Sequence, residues 1–386
     1  MKIFPFILPA TCLRYVSILR AASFCFCFLS HPFSSEAQDV HYTMFSFSPA
    51  NLNPALTGLF GHDHTENDLR VACTYRNQWR SIRSPYVQSP TPYNTFTAAS
   101  DFRLKWLRVL KYNELGLGAM LYRDQSGDLN FGTTQFAWNA AFLKSIGKNH
   151  RDFLSFGLQQ ALVRRSIDFS NAKFDNQWNG KTFDPTLGSG ENLPSPVFFY
   201  TDMNAGIAYN HRPKKGTQWT TGAALFHYNK PKQSFYINNF EVTLKPKFLW
   251  HGSALLNLSE NFLLYPTALF MKQGQATESN LLIYGGKRIQ HASAQARLGL
   301  GYRLVGSLQN NISSDAFLMS LWIILQDWDF GFSYDTNLSA LSPATQLRGA
   351  TEIFIVWHRH VQKHKSKYQK FRKKVLECPD DIMLNN

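Results

Sequence analysis

Apolar and polar residues alternate with a period of two over most of the chain beyond residue 68, the spacing that sends successive side chains to opposite faces of a strand. In 203–212, Met203, Ala205, Ile207 and Tyr209 share one face, and Asn204, Gly206, Ala208, Asn210 and Arg212 share the other. Leu69, Val71, Cys73 and Tyr75 alternate in the same way with Arg70, Ala72, Thr74, Arg76 and Gln78. So do Leu298, Leu300, Tyr302 and Leu304 with Arg297, Gly299, Gly301 and Arg303, and Trp328, Phe330, Phe332 and Tyr334 with Asp329, Gly331, Ser333 and Asp335. A helix of such sequence would bury its arginines. The pattern predicts about fourteen strands, near 69–79, 95–105, 115–123, 131–144, 153–165, 203–212, 219–228, 247–258, 262–271, 279–289, 294–305, 315–325, 328–336 and 348–357.

An even strand number suits a closed antiparallel barrel, and so do the connections. Taken alternately, they form a long set and a short set that differ roughly threefold in mean length, as the outside loops and periplasmic turns of outer-membrane barrels do. The longest is the third outside loop, 166–202. A soluble sandwich or propeller also alternates, but it turns a Lys- and Glu-rich face to bulk water. Here the polar face is mostly Gly, Ser, Thr, Asn and Arg, which suits a lumen. Composition agrees: only 17% of residues are charged, and the 32 Phe, 16 Tyr and 9 Trp suit the aromatic girdles of a lipid-facing band. Beyond residue 37 no apolar run approaches the ~18–20 residues that a spanning helix requires.

The N-terminus reads separately. Lys2, Arg14 and Arg20, the apolar stretch Ala21 to Leu29 and then Ser35-Glu36-Ala37 have the order of a signal peptide cut after Ala37, a single-helix anchor being the alternative. Cys12, Cys25 and Cys27 would leave with it. Cys73 and Cys378 remain, which is no disulfide framework. The net charge of +14 is concentrated in part in residues 358–386, where eight basic residues face three acidic ones. In an exported protein such a run suits a solvated periplasmic tail that meets an acidic partner or anionic headgroups, rather than a nucleic-acid arm. The domains predicted are thus a signal peptide (1–37), a periplasmic N-terminal segment (38–68), the barrel (69–357) and a basic periplasmic tail (358–386).

Several motifs resemble one family. Gln38-Asp39 is followed by Phe45, then NLNPALTG (Asn51 to Gly58) and YRNQW (Tyr75 to Trp79). LGLGAMLYRDQSGDL (Leu115 to Leu129), FLSFGLQQAL (Phe153 to Leu162), FGFSYDTNLSAL (Phe330 to Leu341), GATEIFI (Gly349 to Ile355) and the basic tail ending at Cys378-Pro379 come in the same order as in PorP/SprF proteins. The chain resembles that family over essentially its whole mature length. It departs at Val40, where the family has Pro, at the inserts 166–202 and 229–246, and in the extension Asp380 to Asn386. The resemblance implies an outer-membrane component of the type IX secretion and gliding-motility machinery. Such a protein would bind, help export or anchor a secreted surface protein of adhesin type and link the outer membrane and its lipid to periplasmic secretion components. Its mechanism would be binding, with no cofactor and no turnover. The runner-up is a channel or transporter for small solutes or lipids, and a third class is a soluble exported β-protein.

The candidate positions come from these motifs and from the inward face. Asn53, Pro54 and Gly58 read either as a plain turn or as a turn that seats segment 38–68 against the periplasmic mouth. Tyr75, Arg76, Gln78 and Trp79 belong to the second motif. Asp124 and Gly127 fit a tight outside turn, with too few carboxylates for calcium. Arg76, Arg297 and Arg303 point inward, where pairing with Asp329, Asp335 and Glu352 is a simpler use than a ligand site. No GxSxG, HExxH, P-loop or CxxC motif is present. His62 with His64, and His358 with His360 and His364, lack acidic or cysteine company in the sequence, so solvated positions are expected rather than a metal site.

Overall fold

The computed structural model describes residues 41–359, apart from 62, 65–66, 80–92, 106–111, 148–150, 185, 193, 214–215, 236–241, 290–293, 307–311 and 341. Residues 1–37, expected to be a signal peptide, Val40, Cys378 and the residues beyond Arg359 lie outside the described residues, as do His62, His360 and His364.

Fourteen strands form one closed antiparallel barrel, each pairing with its neighbours in sequence. They are β1 (Leu69–Gln78), β2 (Tyr93–Leu104), β3 (Glu114–Ser126), β4 (Phe131–Ile146), β5 (Asp152–Ser166), β6 (Val197–His211) and β7 (Gln218–Phe226). The circuit continues with β8 (Lys247–Asn257), β9 (Phe262–Gln273), β10 (Ala276–Ile289), β11 (Ala294–Gly306), β12 (Ile312–Leu325), β13 (Trp328–Asn337) and β14 (Arg348–Arg359). Closure is made by β1 against β14, with Leu69 opposite Arg359 and Arg76 opposite Glu352. Closure leaves no edge strand with unpaired backbone groups, the condition for a sheet to lie in hydrocarbon. The β8–β9 ladder is interrupted between Ser253–Thr267 and Leu256–Leu264, around Pro266, which has no N–H to donate.

The alternation in sequence becomes an alternation of burial. Along β1, Arg70, Ala72, Thr74 and Arg76 are buried while Val71, Cys73 and Tyr75 are exposed. The outward set around the barrel is apolar, with Leu158, Leu281, Leu298, Leu300 and Phe332 all exposed. That is the arrangement expected of a wall whose solvent is lipid. β6 begins at Val197, six residues earlier than the alternation indicates, because 197–202 continues the ladder against β5 up to Ser166. The long connection is therefore 167–196.

The core lies in the lumen, not between sheets. A fourteen-strand wall encloses more space than its own side chains fill, and the chain fills it with its N-terminal segment. A 3₁₀ turn (Phe45–Phe47), a single helical turn α1 (Pro49–Leu52) and a second 3₁₀ turn (Pro54–Leu56) pack inside. Phe45, Phe47, Leu52, Ala55, Leu56 and Leu59 join one apolar cluster with the wall residues Leu143, Phe153, Tyr265, Trp322 and Phe354. Phe47 meets Trp322 edge-on at 4.8 Å between ring centroids. The segment expected to sit below the periplasmic mouth is thus inside the barrel from residue 41 to about residue 60.

Glycine on the wall makes room for this plug. A Cβ at Gly157 would lie 2.2 Å from the Pro54 carbonyl carbon, and one at Gly206 would lie 1.9 Å from Asn53 Oδ1. Replacement of Gly157 by Val is expected to displace the plug and to destabilise the barrel by more than the ~1–3 kcal/mol usual for overpacking, because the obstruction is backbone. Leu158→Val on the lipid face should be near neutral. Urea unfolding in detergent micelles measures both, and equal midpoints would contradict the packing described.

Candidate functional site: the plug and its two collars

The plug is held by polar groups of opposite kind at its two ends. At the end of the barrel that carries the connections 167–196 and 227–246, carboxylates from the wall receive the plug's N–H groups. The backbone N–H of Thr43 donates to both Glu352 oxygens at 2.8 and 3.0 Å, and that of Met44 donates to Oε2 at 3.1 Å. Thr43 Oγ1 donates to Asp335 at 2.6 Å and accepts from Arg303 Nη2 at 2.7 Å. Arg76 bridges Asp335, at 3.2 Å, and Glu352. Arg303 reaches Asp335 at 3.1 Å, Asp315 at 3.4 Å and Glu278 at 3.6 Å, and His41 lies 2.9 Å from Glu278. Arg76, Arg303, Asp335, Glu278 and Glu352 are all at most 2% exposed. Five charges buried together persist because each has an opposite partner and further hydrogen bonds.

At the opposite, short-turn end, arginines receive the plug's carbonyls. Arg70 donates to Leu56 O at 3.2 Å, Arg212 to Phe60 O at 2.8 Å and Arg103 to Asn67 O. Arg70 is neutralised by Asp101, each of two nitrogens lying 2.8 Å from a carboxylate oxygen. Arg70 and Arg103 also cover the Phe60 ring at 5.1 and 5.0 Å. Arg297 pairs with Asp63 of the plug at 2.6 Å and stacks on Trp322 at 4.0 Å. Between the collars, fully buried Asn53 donates through Nδ2 to Ile207 O and Ala223 O at 3.0 and 3.2 Å, while its Oδ1 accepts from Ala55 N at 2.9 Å.

The motif positions therefore separate. Asn53, Pro54, Gly58, Arg76, Arg297, Arg303, Asp335 and Glu352 meet at the interface of plug and wall. Gly58, at φ +71°, donates its N–H to Asp101 at 2.7 Å. Gln78 borders the upper collar, accepting from Arg76 at 3.4 Å. Tyr75 faces outward and donates to Asn94 at 3.0 Å, and Trp79 lies at the strand end with its ring 5.1 Å from that of Tyr93. Three readings need correction. His64 and His358 are not solvated: both are buried, at 8% and 4% exposure, and folding brings Asp329 of β13 to both of them. Asp124 is not in a turn: it lies within β3, paired across to Thr95, whose hydroxyl it accepts at 2.7 Å, and the turn is 127–130, with Gly127 at φ +72°. Asp329 does not pair with an inward arginine: it meets His64 at 2.8 Å and His358 at 3.5 Å, and Arg297 takes its partner from the plug. Sequence reasoning also missed Thr43, Asp63, Asp101 and His251, whose Nε2 lies 3.1 Å from Asn53 Nδ2. The first two belong to a segment without periodicity, and nothing local marks them.

Three cavities between plug and wall, among the described residues, measure about 70, 60 and 30 Å³, enough for a few waters and far below the ~300–1,000 Å³ of a small-molecule pocket. The long connection 167–196 is a folded surface. Its Asp168 and Asp184 are held below their ordinary pKa by the hydroxyls of Ser170 and Thr186 and then by the backbone N–H groups of the same residues, both of which donate at 2.9 Å. Trp178, Phe183 and Leu187 stand exposed on it.

Arg76→Met should cost about 3–5 kcal/mol, the effect of stranding buried carboxylates. Combining it with Glu352→Gln should cost less than the sum of the two single changes. Unfolding midpoints for the four-member cycle give the coupling, and strict additivity would contradict the network.

Comparison with known proteins places this geometry. Curated protein sequences yield no match. Among solved structures, the chain is similar to a FadL homologue of Pseudomonas aeruginosa, with TM-score 0.43 and 9% identity over 79% of this chain and 91% of that one. It is also similar to CdiB from Acinetobacter baumannii, with TM-score 0.40 and 9% identity over 75% and 60%. The translocator domain of the autotransporter NalP from Neisseria meningitidis aligns at TM-score 0.31 and 10% identity over 92% and 100%. These distant likenesses carry no functional argument. The model of type IX secretion system membrane proteins PorP/SprF, by contrast, matches residues 34–357, a span that takes in the whole plug and all but the last two residues of β14. With its closed membrane-type barrel, the chain belongs to the PorP/SprF family of type IX secretion system membrane proteins.

Proposed function

We propose that this protein is a plugged outer-membrane barrel that serves the type IX machinery as a binding platform. It holds, or assists the export of, a secreted surface protein of adhesin type through its long outside loops, and it engages periplasmic secretion components through the basic segment that follows β14. The observation that carries this reading is the filled lumen. A pore through which solute passes needs a continuous polar path, whereas residues 41–60 are pinned here inside the barrel by carboxylates above and arginines below, with a cavity of about 70 Å³ beside them. Function then falls to surfaces. On the loop side, Trp178, Phe183 and Leu187 present apolar area on a hydrogen-bonded scaffold, a combination that favours protein partners. After β14 in the sequence, Lys363, Lys365, Lys367, Lys370, Arg372, Lys373 and Lys374 supply positive charge for an acidic surface or anionic lipid.

Affinity purification from detergent-solubilised outer membranes tests this reading. Recovery with a large exported surface protein or with secretion-machinery components is expected, and a chain that elutes alone would refute the platform. Trp178→Ala combined with Phe183→Ala should lower recovery of the surface partner at least about tenfold, the scale of a hot-spot pair, and leave barrel yield unchanged. Planar-bilayer recording addresses the channel alternative: near-silent membranes are expected, and large steady currents would favour a conduit.

A further inference from the structure

One group of ligand-type side chains takes no part in the collars. It lies at the short-turn mouth, where the plug passes into β1. His64 comes from that linking segment, Asp329 from the start of β13 and His358 from the end of β14. Their ligand atoms all lie within 4.8 Å of one another. His64 Nε2 is 2.8 Å from Asp329 Oδ1, His358 Nε2 is 3.5 Å from Oδ2, and the two imidazoles stack at 3.7 Å between centroids with 11° between planes. None of the three is more than 8% exposed.

Two features point to a ligand between them. His358 Nδ1 has no hydrogen-bond partner and Nε2 has only the long 3.5 Å contact with Asp329, although the side chain is only 4% exposed. A buried imidazole so weakly satisfied carries a desolvation cost with little return. The second feature is charge. The neighbouring arginines are already matched, Arg70 by Asp101 and Arg297 by Asp63, so Asp329 leaves its own negative charge to the histidines alone. A cation on the two Nε2 atoms and the carboxylate would engage the weakly held Nε2 of His358 and answer the charge of Asp329.

We propose that His64, Asp329 and His358 form a zinc site that staples the end of the plug to β13 and β14. Two imidazoles and one carboxylate are a nitrogen and oxygen set suited to Zn²⁺, with ligand bonds of about 2.0–2.2 Å and donor atoms about 3.3 Å apart in a tetrahedron. The two histidine–carboxylate separations of 2.8 and 3.5 Å bracket that value, and one ring turns out of the stacked arrangement so that both Nε2 lone pairs meet at the ion. The fourth position faces the cavity of about 60 Å³, lined by Ser46, Gly61 and Arg70 among others, which has room for a water ligand. Asn67 Nδ2 lies 3.3 Å from His64 Nδ1. Turned about its amide axis, Asn67 accepts Nδ1–H and frees Nε2 for the metal, the outer-shell role that orients a ligating histidine. The site does not depend on what the loops bind.

The test uses the full chain without a polyhistidine tag, purified in detergent, stripped with chelator and loaded with Zn²⁺ alone, its metal content read by mass spectrometry. About one tightly held zinc per chain is expected. His64→Ala and His358→Ala should each weaken binding more than about 100-fold, and Asn67→Ala by about 10-fold, within the range for outer-shell partners. His360→Ala combined with His364→Ala should leave binding intact. Should the histidine variants fail to fold, Cu²⁺ bound to the unaltered chain reports directly, since its electron paramagnetic resonance spectrum should carry coupling from two imidazole nitrogens. Zinc at blank level, zinc lost only with His360 and His364, or a copper spectrum without imidazole coupling would each overturn the proposal.

Discussion

Everything in this molecule depends on reconciling a wide polar lumen with a dry interior. A wall of fourteen strands, greasy outside, turns its arginines and carboxylates inward, and such charges survive burial only when each has partners. The chain meets the requirement with its own N-terminal segment. Wall carboxylates receive the N–H groups at one end of that segment, and wall arginines receive carbonyls at the other. A short stretch with only one helical turn leaves many backbone groups unpaired by secondary structure, and the collars supply what a longer helix would have supplied internally.

This arrangement couples membrane architecture to function. The same residues that satisfy the plug hold it within the lumen, which is why the proposed role falls to interaction surfaces. The apolar side chains of the plug, Phe45, Phe47 and Leu56 among them, give the closure a hydrophobic component as well, packing on Tyr265, Trp322 and Phe354. Polar specificity sets the register of the plug, and apolar packing supplies much of its adhesion. Wall glycines allow the two backbones to approach to a distance that any side chain would prevent.

Much of the wall was legible because its signal is local. Period-two alternation needs only the next few residues, so strand number, inward identity of Arg76, Arg297 and Arg303, and outward identity of Leu298 and Leu300 follow directly. Strand ends were less legible. Val197–Asp202 is aromatic-rich without clean alternation, and it joins β6 only because β5 offers a ladder opposite. Asp124 looked like a turn residue beside Gly127, yet β3 continues past it through Gln125 and Ser126 before the turn begins.

The sequence by itself determined a closed, lipid-facing barrel with a charged interior and, through its motifs, a family. Only the tertiary structure decided where residues 41–60 go, which acid meets which arginine, and that His64, Asp329 and His358 share one corner. The physical reason is range. Alternation is a property of neighbours along the chain, whereas Arg297 with Asp63 and His64 with Asp329 are contacts between residues more than 230 positions apart. Such contacts exist only once the wall has closed around the plug.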